Sequence, residues 1–274
     1  MDDTLEAGVR QLVSRVEGIS AGSVNKPTLV YFNIIGICWP IRCLLHIHNI
    51  DYDYVPISIR EWGFRSEDGT RPLKSAFRNG HVPLYADRET CLNESNLILA
   101  SLGRRTEMMG DNEAESLAIQ HIMAHCYDAL FHWNGLLQII IRINISDDVA
   151  QARLNAFMGD GAWGLVTDGY RNQLDTINRC LVANASGSGF LVGSRLSVAD
   201  LHAYNVLCNW YKAFDRDVFS REYPELDAYI QRIATVPRVR DYIQNVQEAT
   251  TWFPWPAAAL RLTSPAELEG LVSL

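Results

Sequence analysis

The chain has 274 residues, of which 48% are hydrophobic and 20% are charged, and its formal net charge is -8. This length suits about two domains, and the composition excludes a mainly disordered chain. The negative charge disfavours nucleic-acid binding, because nucleic-acid-binding proteins usually present a basic face. No apolar run reaches the roughly 18–20 residues that a membrane-spanning helix needs.

Six cysteines are scattered along the chain, at positions 38, 43, 91, 126, 180 and 208. No two of them form a CxxC pair, which argues against a zinc ribbon or a dithiol redox motif. A chain of this length does not need disulfides for stability, so we expect reduced thiols and a cytoplasmic location.

The first 27 residues predict a short amphipathic helix rather than a secretory signal. The apolar residues at helical spacing are Leu5, Val9, Leu12, Val16 and Ile19. The acidic start and the lack of a continuous apolar segment argue against a signal peptide. We therefore assign residues 1–27 to a partly helical N-terminal extension.

Residues 28–105 predict a small α/β domain. Residues 28–34 read as a buried strand, and Pro40 suits the first turn of the helix that follows it. Residues 51–59 alternate in the manner of a second strand. A helix that joins two such strands implies a parallel pair.

The second half of this domain predicts two more strands and a helix. Residues 62–80 are polar and predict only short helical turns. Residues 82–86 and 89–92 predict strands around a two-residue turn, which implies an antiparallel hairpin. Helical spacing resumes at Glu94. The order of elements is therefore βαβ, an irregular segment, and ββα.

Residues 111–247 are helical in pattern, and the predicted helices span 112–142, 164–184, 197–213, 224–235 and 237–247. Ser197 and Asp200 have the spacing of a capping box, in which the serine hydroxyl caps early amides and the acidic side chain reaches back. The tail, residues 248–274, is rich in aromatic side chains, and we expect it to pack on the body of the protein.

Several local motifs occur in a characteristic order. They are Tyr31-Phe32-Asn33 followed by Gly36 and Arg42, Asn79-Gly80-His81-Val82-Pro83, Asn93-Glu94-Ser95-Asn96-Leu97-Ile98-Leu99, Leu196-Ser197-Val198-Ala199-Asp200, and Tyr223-Pro224-Glu225-Leu226 with Pro237. Together they resemble the glutathione S-transferase superfamily, closest in pattern to its tyrosine-type, sigma-like members. The resemblance covers roughly residues 28–247.

This resemblance implies a thioredoxin-like, glutathione-binding domain at 28–105 and an all-helical bundle at 111–247. It implies an enzyme that conjugates, reduces or isomerises a small apolar electrophile with glutathione as co-substrate and without a metal. It also implies a homodimer. Candidate residues for the electrophile pocket are Ile37, Tyr127, Phe131 and Trp210.

The resemblance also implies a site for the peptide part of glutathione. The Ser95 hydroxyl and the first amides of its helix suit the γ-glutamyl carboxylate, and Glu94 suits the ammonium group. The alternative is that Glu94 and Ser95 only cap a helix. Pro83 corresponds to a cis-proline of the family, and the Val82 backbone would then pair with the cysteinyl residue as an added strand.

For the glycine end of glutathione, the resemblance implies Trp62, with Lys74 or Arg65 as the cation. The alternative for Trp62 is simple packing. His81 stands where many members of the family have lysine or glutamine, and it is only partly charged near neutral pH.

Tyr31 is the predicted catalytic residue. It ends the first strand, where tyrosine-type transferases place the hydroxyl that stabilises the glutathione thiolate. Ile37 replaces an arginine that supports this hydroxyl in sigma-type members, and Gln120 lies where a partner subunit often supplies an acid. Cys38, near a helix start, is the rival nucleophile.

Two further alternatives remain. His121, His125, Asp128 and His132 share one helical face, for which a polar cleft is favoured over a metal site. The loss of polar groups at Ile37 and Gln120, together with the terminal extensions, supports a non-catalytic binding or scaffold subunit that docks on a larger assembly.

Overall fold

The computed structural model describes residues 3–22, 24–142, 170–213 and 216–246. It gives the side chains at all of them except 131–142, 170, 171, 209–213, 216–218 and 246. The chain divides into two units, the first ending at Leu102 and the second beginning at Gly103. The predicted tail at 248–274 lies outside the described residues.

The first unit contains a four-stranded mixed sheet. In chain order its elements are helix α1 (Asp3–Ser20), strand β1 (Thr28–Phe32), a 3-10 turn (Gly36–Cys38), α2 (Trp39–Ile47), β2 (Asp53–Ile57), α3 (Ile59–Gly63), α4 (Pro72–Ser75), β3 (Leu84–Ala86), β4 (Cys91–Asn93) and α5 (Ser95–Arg105). The strand order is β2-β1-β3-β4, with β1 and β2 parallel and the other two pairs antiparallel. The thioredoxin-like order predicted from the sequence is therefore confirmed.

The hairpin between β3 and β4 differs from the prediction of a two-residue turn. Ala86 pairs with Cys91, so four residues separate the strands. The Asp87 carboxylate accepts from the backbone N–H groups of Glu89 and Thr90 at 2.9 and 2.8 Å. An aspartate that binds amides two and three residues later favours a wider loop, and this explains the longer turn.

One face of the sheet is covered by α1 together with α3 and α4. Residues from the helices and the strands form one apolar cluster, whose buried members are Val9, Val16, Ile19, Val30, Val55, Ile57, Leu73, Phe77, Leu84 and Ala86. The N-terminal extension is thus a regular part of the first unit. Since side chains alternate along a strand, Leu29 and Tyr31 lie on the opposite face of β1.

The second unit is helical. Its elements are α6 (Glu113–Arg142), α7 (Tyr170–Ala183), α8 (Val198–Ala213), α9 (Arg216–Glu222), α10 (Pro224–Thr235), α11 (Pro237–Asp241) and a π-helical turn (Tyr242–Val246). The predicted helix at 224–235 has the bounds of α10, whereas the sequence did not predict α9. The predicted helix at 164–184 begins outside the described residues.

Two further observations concern the whole described chain. All six cysteines lie among the described residues, and no disulfide bond joins any two of them. No helix among the described residues is long and apolar enough to cross a membrane.

Candidate functional site

The predicted site residues of the first unit meet at one edge of its sheet. Tyr31 lies near the end of β1. Val30 pairs with Leu84, so extending the antiparallel register by one residue places Tyr31 beside Pro83. Glu94 directly follows β4, which reaches the same edge through its pairing with β3. Motifs that are far apart in the sequence thus come together.

Asparagine side chains tie the loop before β3 to the end of β4. The Asn93 amide donates to the carbonyls of His81 and Pro83 at 3.2 and 3.1 Å. The Asn79 amide donates to Glu94 Oε1 at 2.6 Å, and His81 Nδ1 lies 4.0 Å from the same oxygen. Sequence reasoning assigned no role to these asparagines, although their presence in the motifs is the signal that could have revealed them.

Glu94 and Ser95 form an unusual helix start. Glu94 has φ 72, in the left-handed region that non-glycine residues rarely adopt. The Ser95 side chain is only 5% exposed, yet its hydroxyl has no hydrogen-bond partner among the described residues. A buried hydroxyl without a partner costs free energy, and the first amides of a helix also lack intrahelical acceptors. This helix start therefore has unused capacity to bind an anion.

The Val82–Pro83 peptide bond is cis, as the resemblance implies. Among the described residues, neither the N–H nor the C=O of Val82 takes part in a hydrogen bond. One backbone donor and one backbone acceptor, two residues before β3, are therefore available to a peptide-like ligand at the sheet edge.

Trp62 and Lys74 adjoin this edge from α3 and α4. The Trp62 ring meets the rings of Phe32 and Phe77 edge-on, with centroids 5.7 and 5.5 Å apart. Lys74 Nζ lies 6.0 Å from the Trp62 ring centroid, and Lys74 Cε is 3.4 Å from where a Cβ on Gly80 would stand. Lys74 thus lies between the tryptophan and the loop that leads to β3.

Lys74 is the better placed of the two predicted cations. Arg65 Nη1 donates to the carbonyl of Gly69 at 3.0 Å, within its own loop. Lys74, in contrast, has its ammonium group over the Trp62 ring.

Tyr31 is 5% exposed, and its hydroxyl lies under the turn that follows β1. A Cβ on Gly36 would be 2.6 Å from the hydroxyl oxygen, so this close approach requires glycine. The backbone N–H of Ile37 donates to that oxygen. Burial raises the pKa of Tyr31 far above its ordinary value, while the Ile37 amide and Arg42 act in the opposite direction.

Arg42 organises this corner, although sequence reasoning gave it no role. Its side chain is buried and donates to the carbonyls of Ile34 and Ile35 at 2.5 and 2.9 Å. Its guanidinium carbon lies 5.5 Å from the Tyr54 ring centroid. With isoleucine at position 37, Arg42 is a cation of this chain that acts on the Tyr31 hydroxyl. The sequence signal for a buried Arg42 was its place at an apolar position of the predicted helix.

Cys38 is fully buried, and burial raises its pKa far above the ordinary value, with Arg42 opposing the shift. A thiol in this state is protonated at neutral pH and is a poor nucleophile. The geometry thus disfavours Cys38 as the rival to Tyr31.

The remaining candidates lie in the second unit. Gln120 accepts from Arg104 at 3.4 Å and donates to the carbonyl of Ser116 at 3.2 Å. His125 Nε2 lies 3.3 Å from the carbonyl oxygen of Gln173, and burial lowers its pKa. In the part of the chain that is described, no group of three or more His, Cys, Asp or Glu side chains could hold a metal ion.

The side chains of the predicted residues Phe131, His132 and Trp210 lie outside the described side chains. Tyr127 is half-buried in the second unit, and Ile37 is half-buried in the first. The apolar pocket predicted from Ile37, Tyr127, Phe131 and Trp210 therefore stays a prediction.

Comparisons with known proteins agree with this architecture. A family model described as "Glutathione S-transferase, C-terminal domain" matches residues 165–246. Glutathione S-transferase P 1 of Xenopus laevis is 27% identical over 217 residues, which cover 79% of this chain and 91% of that protein. A glutathione S-transferase of Dermatophagoides pteronyssinus is 24% identical over 231 residues, covering 83% and 94%.

Solved structures show the same fold. A glutathione S-transferase of Caenorhabditis elegans aligns with a TM-score of 0.62 at 22% identity and covers 80% of this chain and 98% of its own. The Pi-class enzyme of Onchocerca volvulus aligns with a TM-score of 0.60 at 21% identity, covering 79% and 91%. The assignment to tyrosine-type, sigma-like members stays a prediction. The chain has the glutathione S-transferase fold, and it is similar in sequence to the glutathione S-transferases named above.

Proposed function

We propose that the protein is a glutathione S-transferase-like enzyme that conjugates, reduces or isomerises a small apolar electrophile with glutathione. The observation that carries the proposal is the buried hydroxyl of Ser95, which has no hydrogen-bond partner within the described ranges, beside Glu94 with its left-handed backbone. Non-glycine residues in such conformations cluster at ligand sites, where the surrounding structure maintains them. The relatives named above are glutathione S-transferases, which adds support for this ligand.

The two ends of glutathione fit two groups of side chains. Ser95 and the first amides of α5 would bind the γ-glutamyl carboxylate, because helix N-termini favour anions. Glu94 would bind the ammonium group, and the Val82 backbone would pair with the cysteinyl residue. Lys74 would bind the glycine carboxylate, with Trp62 packed beside it.

Tyr31 would stabilise the thiolate of glutathione. The Ile37 amide donates to the hydroxyl oxygen, so the hydroxyl proton is available for a second acceptor. The raised pKa keeps that proton on Tyr31 near neutral pH. Donation to sulfur favours the thiolate, which is the form that attacks an electrophile. A metal is not part of this mechanism.

The experiment that tests this role is Tyr31→Phe. Turnover with a generic electrophile should fall by about tenfold or more, since a loss of about 1.4 kcal/mol in thiolate stabilisation is a factor of ten. Glutathione affinity should change little, and the pH at which bound glutathione ionises should rise. Tyr223→Phe is the matched control, because that hydroxyl donates to Asp175 in the other unit.

A non-catalytic binding or scaffold subunit is the second candidate. The specific observation in its favour is that Tyr31 is 5% exposed while isoleucine occupies position 37. Such a subunit would bind glutathione, and both the wild type and Tyr31→Phe would turn over equally slowly. Equal, slow turnover with retained binding therefore rejects the enzyme and supports the subunit.

The predicted assembly is a homodimer in the cytoplasm, with docking to a larger assembly as a further role of the extensions. One structural neighbour, Na-GST-3 of Necator americanus, is described as monomeric, so the assembly state needs its own test. Light scattering should give about twice the 30.9 kDa mass of the chain. A monomer would contradict the homodimer.

A further inference from the structure

The N-terminal helix α1 contributes to the surface on which the predicted glycine end of the glutathione site stands. Its inward face carries Val9, Val16 and Ile19, which are 1%, 0% and 6% exposed. These side chains belong to the same apolar cluster as Leu73 and Phe77 of the α4 region. Trp62, Phe64 and Ala76 are partly buried against that cluster.

Helices α3 and α4 are too short to be stable by themselves. They span Ile59–Gly63 and Pro72–Ser75, and isolated helices shorter than about 12 residues are marginal in water. Their positions therefore depend on packing against the cluster. Because α1 supplies part of that cluster, it helps to determine where Trp62 and Lys74 lie.

Close contacts support this dependence. A Cβ on Gly8 of α1 would be 3.9 Å from Glu61 Oε1, so α1 passes directly beside α3. Glu61 also closes the capping box of α3, accepting from the Ser58 N–H at 2.7 Å. Trp62, the next residue, packs edge-on against Phe77 at 5.5 Å.

We propose that α1 is a positioning element for the glycine end of the glutathione site, acting through Val9 and Val16 on the packing that holds Trp62 and Lys74. The inference rests on the proposed function. It assigns to the N-terminal extension a role in the affinity for glutathione. This role concerns only the glycine end of that molecule.

The test compares two ligands, glutathione and γ-glutamylcysteine, which lacks the glycine. Calorimetry on Val9→Ala and on Val16→Ala should show weaker glutathione binding with little change for γ-glutamylcysteine. The affinity for glutathione divided by the affinity for γ-glutamylcysteine should therefore fall by about threefold or more. A change of this size is in the range of coupling energies between residues of one packed cluster. A thermal denaturation curve verifies that each variant is folded.

Val239→Ala is the matched control, since Val239 is a fully buried valine of the second unit. It should leave the ratio unchanged. A second test places Val9→Ala in a background that carries both Trp62→Ala and Lys74→Ala, where its effect on the ratio should disappear because α1 acts through these two residues.

Two outcomes overturn the inference. The first is an unchanged ratio in the α1 variants, whether both affinities fall equally or neither falls. The second is an effect of Val9→Ala that persists when both Trp62 and Lys74 are replaced. Absence of glutathione binding by the wild type overturns the proposed function itself, and the inference with it. The two failures are therefore distinguishable.

Discussion

Within the described part of the chain, two helices start at a buried serine, and the two serines differ in their partners. Ser197 precedes α8 and is 3% exposed, and its hydroxyl donates to Asp200 Oδ2 at 2.8 Å. Ser95 begins α5 and is 5% exposed, but its hydroxyl has no partner in that part. The serine hydroxyl at the start of α8 therefore has its hydrogen bond within the protein, whereas the one at the start of α5 has none among the described residues.

The difference separates a structural cap from a candidate binding site. Asp200 accepts from the N–H groups of Leu191 and Ser197 and from the hydroxyls of Ser197 and Tyr229. Burial raises its pKa, and these hydrogen bonds oppose the shift. Its bonding capacity is used within the fold. Burial of the Ser95 hydroxyl costs free energy, and no hydrogen bond among the described residues offsets that cost. A hydrogen bond to a bound carboxylate would offset it.

Asp200→Ala should have the largest effect. It leaves two backbone amides and the Ser197 hydroxyl without an acceptor in a fully buried place, and the Tyr229 hydroxyl keeps only the backbone carbonyl of residue 200. The free energy of unfolding, measured in urea, should fall by about 3–5 kcal/mol, as when one partner of a buried polar network is removed. A loss below about 1 kcal/mol would show that Asp200 is not the centre of a structural cap.

The second-largest effect should be on the pH dependence of stability, and it comes from His202 in helix α8. His202 is a buried polar residue, and its Nδ1 has no partner among the described residues. Burial lowers its pKa to about 4, compared with about 6.5 in the unfolded chain. The unfolded chain therefore binds a proton first, and stability falls as the pH drops from about 6.5 to about 4. The total loss is about 3 kcal/mol.

The measurement for His202 is the free energy of unfolding at pH 7 and at pH 4.5, in the wild type and in His202→Gln. The difference between the two pH values should be smaller in the variant. Asp200 acts in the opposite direction, since its raised pKa favours the folded state at low pH, and it is common to both proteins. An unchanged pH dependence would contradict the role of His202.

Ser95→Ala should separate binding from stability. Calorimetry should show glutathione affinity reduced by about tenfold to a hundredfold, because a hydrogen bond to a charged group contributes about 1.5–3 kcal/mol. The free energy of unfolding should change by less than about 0.5 kcal/mol, since the hydroxyl has no hydrogen bond to lose in the part of the chain that is described. Unchanged affinity would remove Ser95 from the proposed site.

The sequence predicted the elements whose causes are local. Apolar periodicity and the proline at position 224 define helix α10, and helical spacing in the first 20 residues predicted α1. The parallel pair of β1 and β2 follows from a short helix between two strands. These features depend on residues close together in the chain, which is why spacing alone reveals them.

The features that decide function depend on distant residues. The pairing of β3 and β4 brings the end of β4 beside the loop before β3, where the Asn79 amide lies 2.6 Å from Glu94 Oε1. Spacing along the chain also cannot show that the buried Ser95 hydroxyl has no partner among the described residues. Arg42 acts on the Tyr31 hydroxyl, and its position in the predicted helix indicates a buried arginine without identifying this partner. Helix α9 was not predicted, because a helix of 7 residues is too short to show a clear apolar repeat.

Ser197→Ala sharpens the comparison most directly, although its effect is the smallest. The variant removes one of the four donors to Asp200, and the carboxylate keeps the N–H groups of Leu191 and Ser197 and the Tyr229 hydroxyl. The free energy of unfolding should therefore fall by only about 1 kcal/mol, the net value of a single hydrogen bond.

Glutathione affinity should stay at the wild-type value in Ser197→Ala, because its lost hydrogen bond lies within the helical unit. Ser95→Ala should lose affinity and keep its stability, so the same substitution at two buried serines should give opposite results. If Ser197→Ala also weakens glutathione binding by tenfold or more, the two helix starts are coupled and the distinction between cap and site is wrong. Equal stability losses in both variants would instead show that the Ser95 hydroxyl has a partner within the fold.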